Sequence, residues 1–157
     1  MRHTIQALVE NRFGVLARVA SLFSARGYNI ESLAVGETEE ADVSCMTIVV
    51  NAEDEGILEQ IKKQLNKLID VITVTDFTRR EYIERDLILI KVAKKAKGEA
   101  IITKLVKKYP VKIIETKKDY YLLEICSDRH QETEILKELN NLKIKELVRT
   151  GRIAIKK

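Results

Sequence analysis

Apolar and polar residues alternate along residues 4–10, and this period of two predicts a strand with Ile5, Ala7 and Val9 on one face. From residue 15 to 26 the apolar positions recur at helical spacing, and Gly27 follows where a left-handed C-terminal cap is expected. The rest of the first half predicts strands at 28–35 and 43–51, a helix at 53–68 and a strand at 71–77. The predicted order is therefore βαββαβ.

The second half repeats this order at a period of about 75 residues. Its pattern predicts a strand at 86–93, a helix at 99–108, strands at 111–116 and 120–126, a helix at 130–140 and a strand at 144–155. Two such repeats predict an α+β protein with two ferredoxin-like units, at residues 1–78 and 79–157. Every strand is rich in apolar residues, so we expect the open sheet faces or edges to be covered in a homodimer.

Composition and charge limit the kinds of protein and of binding partner that the sequence allows. The chain has 157 residues, of which 45% are hydrophobic and 33% charged, so it can form a globular core and is not a disordered polypeptide. Residues 1–78 carry 7 Lys and Arg against 12 Asp and Glu, a net −5, whereas residues 79–157 carry 21 against 12, a net +9. The basic half allows three interpretations: a nucleic-acid surface, a surface for an acidic protein, or a solvated lysine-rich face.

Candidate catalytic and metal-binding residues are few. The two cysteines, Cys45 and Cys126, form no CxxC motif, and the histidines are His3 and His130. This weighs against a disulfide framework and a zinc site, and it indicates a reducing compartment, the cytoplasm. His130 and Glu134 are one helical turn apart, but without a third metal ligand we favour an exposed helix pair. Neither histidine has a serine or cysteine partner in a recognisable motif, the carboxylates are scattered, and there is no phosphate-binding glycine motif, so the sequence does not predict a free-standing enzyme. No apolar stretch approaches the roughly 18 residues of a membrane span.

The loop between the first strand and the first helix is a candidate binding site. It leads into a helix N-terminus, whose unpaired N–H groups and positive dipole can hold a carboxylate. Gly14 allows an unusual backbone angle and a close approach of a ligand to the main chain. Asn11 and Asn29 offer side-chain amides that can donate and accept hydrogen bonds. The alternative is that all three residues serve only turns, and their spacing alone does not decide between the two.

The residues around this loop resemble a known family. Residues 9–19, VENRFGVLARV, and residues 22–33, LFSARGYNIESL, are similar to the ACT domain of the small, regulatory subunit of acetolactate synthase, also called acetohydroxyacid synthase. Further similarity lies at residues 46–50 and 59–71, and the second domain of that family is matched at residues 84–92 and 149–154. The resemblance covers nearly the whole chain.

This resemblance implies a non-catalytic subunit that activates a separate catalytic subunit, which holds thiamine diphosphate and magnesium. It also implies feedback inhibition by a branched-chain amino acid, usually valine, in the biosynthesis of valine, leucine and isoleucine. The small subunit itself holds no cofactor, and its effector site lies between the ACT domains of a homodimer. The corresponding residues here are Asn11, Gly14, Val15 and Leu16 of one chain with Asn29 and Ile30 of the other.

The chain departs from the family's sequence pattern at two places, and two other functions remain open. The family commonly has arginine after serine where Cys45 follows Ser44, and residues 108–112 differ from the residues that often precede the second strand of its second domain. One alternative is an amino-acid-binding ACT module that regulates a different enzyme. The other is an RNA-binding protein of the same element order, but Tyr120 and Tyr121 are adjacent and point to opposite faces, and the glycine–aromatic pattern is missing. We therefore expect no nucleic-acid partner, and the choice among valine, leucine and isoleucine stays open.

Overall fold

The computed structural model describes residues 2–51 and 55–157. The first half contains β1 (Arg2–Glu10), α1 (Val15–Ser24), β2 (Ile30–Glu37), β3 (Val43–Asn51), α2 (Glu55–Leu65) and β4 (Val71–Asp76). The second half contains β5 (Tyr82–Ala93), α3 (Gly98–Lys108), β6 (Val111–Thr116), β7 (Tyr120–Ser127), α4 (Arg129–Leu139), a 3-10 turn (Asn140–Leu142), β8 (Ile144–Arg149) and β9 (Ile153–Lys156). Among these residues, no helix has both the length and the apolar character needed to cross a membrane.

The chain forms two compact units. The first comprises the residues up to Ile83 together with Arg152–Lys157, and the second comprises Glu84–Gly151. The first unit therefore extends past residue 78, where the sequence pattern placed its end, and it also includes the C-terminal strand.

The first unit is an antiparallel sheet with two helices on one face. Its strand order is β2-β3-β1-β4, and each neighbouring pair is antiparallel. Ile5 of β1 and Ile48 of β3 share a buried core with Phe23 of α1 and Ile61 of α2. This arrangement confirms the ferredoxin-like fold predicted by the alternation along the strands.

The second unit repeats the arrangement. Its main sheet has the order β6-β7-β5-β8, again antiparallel. Ile90 of β5 and Leu123 of β7 form a core with Leu105 of α3 and Leu139 of α4. Two ferredoxin-like units are therefore confirmed.

The end of α1 follows the predicted capping chemistry. Gly27 has a φ of +68°, a left-handed angle that suits glycine. The Tyr28 N–H donates to the Phe23 carbonyl at 3.0 Å, and the Gly27 N–H donates to the Ser24 carbonyl at 3.1 Å. These two bonds form a Schellman motif, which ends the helix and directs the chain into β2.

Most predicted boundaries lie within two residues of the observed ones, and three predictions differ by more. The helix predicted at 53–68 ends at Leu65, because the N–H groups of Lys67 and Leu68 donate to the carbonyls of residues 64 and 65, three positions back and not four. Residues 53 and 54, at its predicted start, lie outside the described residues. β5 begins at Tyr82, four residues before the predicted start at 86, and the Tyr82 ring contacts Phe77. The single strand predicted at 144–155 is wrong: Gly151, with a φ of +88°, separates β8 from β9.

Candidate functional site

The loop between β1 and α1 is built around Gly14. This residue is the N-cap of α1 and has φ +83° and ψ −6°, a left-handed conformation that is unstrained only in glycine. A Cβ atom at this position would lie 3.1 Å from Nη1 of Arg18. The Gly14 carbonyl accepts the first helical hydrogen bond, from the Arg18 N–H at 3.0 Å. Glycine therefore permits both the turn and the close approach of the guanidinium.

The N-terminus of α1 is open to an anion. Its N-cap makes no side-chain hydrogen bond, and its first turn contains no acidic residue. The Val15 N–H makes only a long bond of 3.4 Å to the Arg12 carbonyl. The N–H groups of Leu16 and Ala17 precede the first helical hydrogen bond and so have no acceptor within the helix. A carboxylate placed here would meet unpaired donors and the positive end of the helix dipole.

Asn11 braces this loop against the hairpin that connects β2 and β3. Its N–H donates to the Asp42 carbonyl at 2.7 Å. Its side-chain Nδ2 donates to the Ala41 carbonyl at 2.9 Å and to Oε1 of Glu37 at 3.1 Å. Both amide hydrogens are therefore used within the protein, and the amide oxygen is the part of this side chain that can accept a bond from a ligand.

The two apolar residues after Gly14 have different environments. Val15 is 2% exposed and belongs to the core of the first unit, so its side chain is not available to a ligand. Leu16 is 46% exposed and can contact an aliphatic group. Of the predicted site residues in α1, only Leu16 therefore offers an apolar side chain at the surface.

Asn29 and Ile30 lie beyond the opposite end of α1. Asn29 is exposed after the Gly27 cap, and Ile30 is half-buried at the start of β2. Since α1 has 10 residues, at a rise of about 1.5 Å per residue it separates them from Gly14 by roughly 15 Å. One chain brings Asn11, Gly14, Val15 and Leu16 together, and it does not bring Asn29 and Ile30 to them.

Arg18 is a site residue that the sequence analysis missed. Its Nε donates to Oδ2 of Asp70 at 2.7 Å, and the Asp70 side chain is only 10% exposed. The Asp70 carbonyl in turn accepts the Glu10 N–H at 2.9 Å, which ties this ion pair to the end of β1. A cation in the first turn of a helix opposes the helix dipole, and that anomaly is the signal that could have identified Arg18.

The other candidates have structural environments. His130 is exposed on α4, whereas Glu134 is half-buried and accepts a hydrogen bond from the Tyr109 hydroxyl, which lowers the pKa of Glu134. Tyr121 is buried, and Lys91 and Lys145 lie over the Tyr120 ring at 5.3 and 5.7 Å. Across residues 2–51 and 55–157, no group of three or more His, Cys, Asp or Glu residues could hold a metal ion.

Models of two protein domains match the two halves of the chain. An AHAS small subunit-like ACT domain matches residues 5–73, and the small subunit of acetolactate synthase matches residues 85–157. The chain belongs to the acetolactate synthase small-subunit family. The resemblance seen around Gly14 is thereby confirmed, and it extends into the second unit.

Acetolactate synthase small subunits from other organisms are similar along almost the whole chain. The probable small subunit of Archaeoglobus fulgidus is 44% identical over 155 residues, covering 99% of this chain and 96% of that protein. The small subunit of Bacillus subtilis is 38% identical over 154 residues, covering 98% and 90%. The crystal structure of the Thermotoga maritima small subunit has a TM-score of 0.87 at 34% identity, covering 100% of this chain and 98% of that one.

The departure of this chain from the family at Cys45 lies on the sheet and not in the loop. The Cys45 side chain hydrogen-bonds with Gln6 and Thr47, and partial burial raises the pKa of its thiol. Neither partner belongs to the predicted effector site. The cysteine therefore leaves the residues around Gly14 unchanged.

Proposed function

We propose that this small subunit activates the separate, thiamine-diphosphate- and magnesium-dependent catalytic subunit of acetolactate synthase and makes it sensitive to valine. It acts in the cytoplasm, in the biosynthesis of valine, leucine and isoleucine, and carries no catalytic residue or cofactor of its own. Membership of the small-subunit family supports the partnership. The open helix N-terminus at Gly14 supports an effector that carries a carboxylate.

The effector site is shared by two copies of the chain. Among the strands that the structure describes, β2 pairs only with β3 and lies at the edge of its sheet, so a second β2 can add to it. If two β2 strands pair antiparallel about a twofold axis at the centre of the strand, Ile30 at the start of one strand comes near Glu37 at the end of the other. Glu37 is hydrogen-bonded to Asn11 within its own chain. The open edge of β2 and this bond support the proposal, because such a pairing would bring Asn29 and Ile30 of one chain to the loop of the other.

Each part of a bound valine has a partner in this arrangement. Its carboxylate accepts hydrogen bonds from the N–H groups at the start of α1, next to the Arg18 guanidinium. Its ammonium donates to the amide oxygens of Asn11 and Asn29 and to main-chain carbonyls. Its aliphatic side chain contacts Leu16 of one chain and Ile30 of the other.

Exposed apolar side chains beside the loop support contact with another polypeptide. Phe13 in the loop is fully exposed, and Ile69, which precedes Asp70, is 95% exposed. Exposed apolar residues that cluster near a functional loop are typical of protein interfaces. Valine binds more tightly to one arrangement of the dimer, and this arrangement alters the activity of the catalytic partner through that surface. A coupling free energy of about 1–3 kcal/mol would change the activity of the partner or the affinity for valine by roughly 5- to 150-fold.

Reconstitution tests the proposed function directly. The catalytic subunit of the same organism should become more active when this chain is added, and valine should then inhibit the mixture but not the catalytic subunit alone. Calorimetry on the purified chain should detect two valine molecules per dimer. No binding heat at millimolar valine would refute the effector role, and unchanged catalytic activity on mixing would refute the partnership.

Replacing Arg18 by glutamine should weaken valine binding about tenfold, because a charge-assisted hydrogen bond to the carboxylate is lost. The affinity for valinamide, which has no carboxylate, should stay unchanged. Calorimetry with both ligands measures the ratio. Arg26→Gln is the matched control, because Arg26 lies just after the other end of α1 and bonds to Gln64. An undiminished preference for valine over valinamide in Arg18→Gln would exclude this role of the guanidinium.

A further inference from the structure

Part of the face of the first sheet that lies opposite the helices is buried. Strand residues alternate between faces, and Ile5 and Ile48 point into the core beneath α1 and α2. Thr4, Thr47 and Val49 therefore point away from the helices, yet they are only 6%, 2% and 2% exposed. Another part of the protein must cover this face.

The last six residues of the chain, 152–157, bind to this face and are called the C-terminal clamp below. Nε2 of Gln6 in β1 donates to the carbonyl of Ala154 at 2.9 Å. The N–H of Arg152 donates to Oγ of Ser32 in β2, also at 2.9 Å. Ala154 itself is 7% exposed. The clamp therefore contacts two strands of the first unit, β1 and the edge strand β2.

Ser32 lies beside an irregularity in the pairing of β2 with β3. The register of β2 against β3 shifts between Ile30 and Ser32, and such a bulge interrupts the ladder of hydrogen bonds. As an edge strand, β2 has no second neighbour in its sheet to compensate. The hydrogen bond from Arg152 supplies an additional attachment two residues from Ile30.

We propose that the C-terminal clamp positions β2 for effector binding, with Ser32 as the positioning residue through which it acts. The proposal rests on the proposed function for the role of Asn29 and Ile30, but the attachment of the clamp can be tested without any effector. Ser32 does not touch the ligand in this scheme; it fixes the strand that carries Ile30.

Two cysteines report on the attachment. Cys45 lies opposite Leu8, on the same face as Gln6, and its thiol hydrogen-bonds with Gln6, which holds the clamp. Cys45 is partly buried, whereas Cys126 on β7 is exposed. The rate at which iodoacetamide modifies Cys45, divided by the rate for Cys126, therefore measures how well the clamp covers this face.

The first experiment compares this ratio in the full chain, in a chain ending at Gly151, and in the full-length double variant S32A/A154D, which keeps Gln6 and its bond to Cys45. Removal of the clamp should raise the ratio at least tenfold, and the double variant should raise it about fivefold, since it removes the acceptor for Arg152 and places a charge at the buried Ala154. The double variant decides the outcome if the shortened chain does not fold. An unchanged ratio in a folded variant would refute the attachment.

The second experiment measures valine affinity in full-length chains with Ser32→Ala, Ser32→Thr and Ser24→Ala. Ser32→Ala should weaken binding about fivefold, and Ser32→Thr should restore it, because threonine keeps the accepting hydroxyl. Ser24, exposed on α1, is the control and should have no effect. If the wild-type chain binds no valine, the proposed function fails and the labelling ratio still decides the attachment. If wild type binds valine and Ser32→Ala binds equally well, the positioning role is wrong.

Discussion

Replacing Gly14 by aspartate is expected to weaken valine binding more than a hundredfold and to make the reconstituted enzyme insensitive to valine. The new carboxylate would lie at the N-terminus of α1, where the ligand's own carboxylate has to bind. Its Cβ would stand 3.1 Å from the end of the flexible Arg18 side chain, which can shift and pair with the aspartate. The variant therefore carries a permanent internal competitor for the same donors.

Backbone strain has to be separated from this charge effect. At a φ of +83° any residue other than glycine costs roughly 1–2 kcal/mol, although asparagine and aspartate tolerate this region better than most. Gly14→Asn has the same shape as Gly14→Asp without the charge and should bind valine at least tenfold more tightly than Gly14→Asp. Thermal unfolding checks that both variants are folded. Valine affinity of Gly14→Asp within threefold of wild type would place the effector elsewhere.

The elements of both units could be predicted because their apolar periodicity is local. Alternation in β1 and helical spacing in α1 gave each element its type, and Gly27 gave the end of the helix. The single strand predicted at 144–155 overlooked a local signal, because an isolated glycine such as Gly151 indicates an interruption in a strand. The bond between Arg152 and Ser32 is different, since it joins residues 120 apart in the sequence. Local patterns carry no information about such a pair.

The candidate site shows the same limit. Asn11, Gly14 and Leu16 lie within six residues, so the turn and helix start could be predicted together with them. Asp70 lies 52 residues from Arg18, and only the fold brings the two together. The separation of Asn29 from the loop follows from the length of α1, whereas the pairing of two chains that we propose depends on the position of β2 at the edge of its sheet.

Mixing two inactive variants is expected to restore valine binding if the site is shared between chains. Asn29→Ala removes an amide that accepts a bond from the ammonium, and it should bind valine at least tenfold more weakly than wild type. In a dimer of one Gly14→Asp chain and one Asn29→Ala chain, one site contains both altered residues. The other site contains the unaltered Gly14 of one chain and the unaltered Asn29 of the other.

The mixed dimer should therefore have one site with wild-type affinity for valine, whereas a dimer of either variant alone should have none. Differently tagged chains, co-expressed and purified by both tags, give the mixed dimer for calorimetry. A dimer of tagged wild-type chains, expected to bind two valines, controls for the tags. If Asn11, Gly14 and Asn29 of a single chain formed the site, each chain of the mixed dimer would still be defective and no binding would return. The number of valines bound with wild-type affinity thus distinguishes a site formed by two chains from a site formed within one chain. The two substitutions are the same under both hypotheses, and only their distribution between the sites differs.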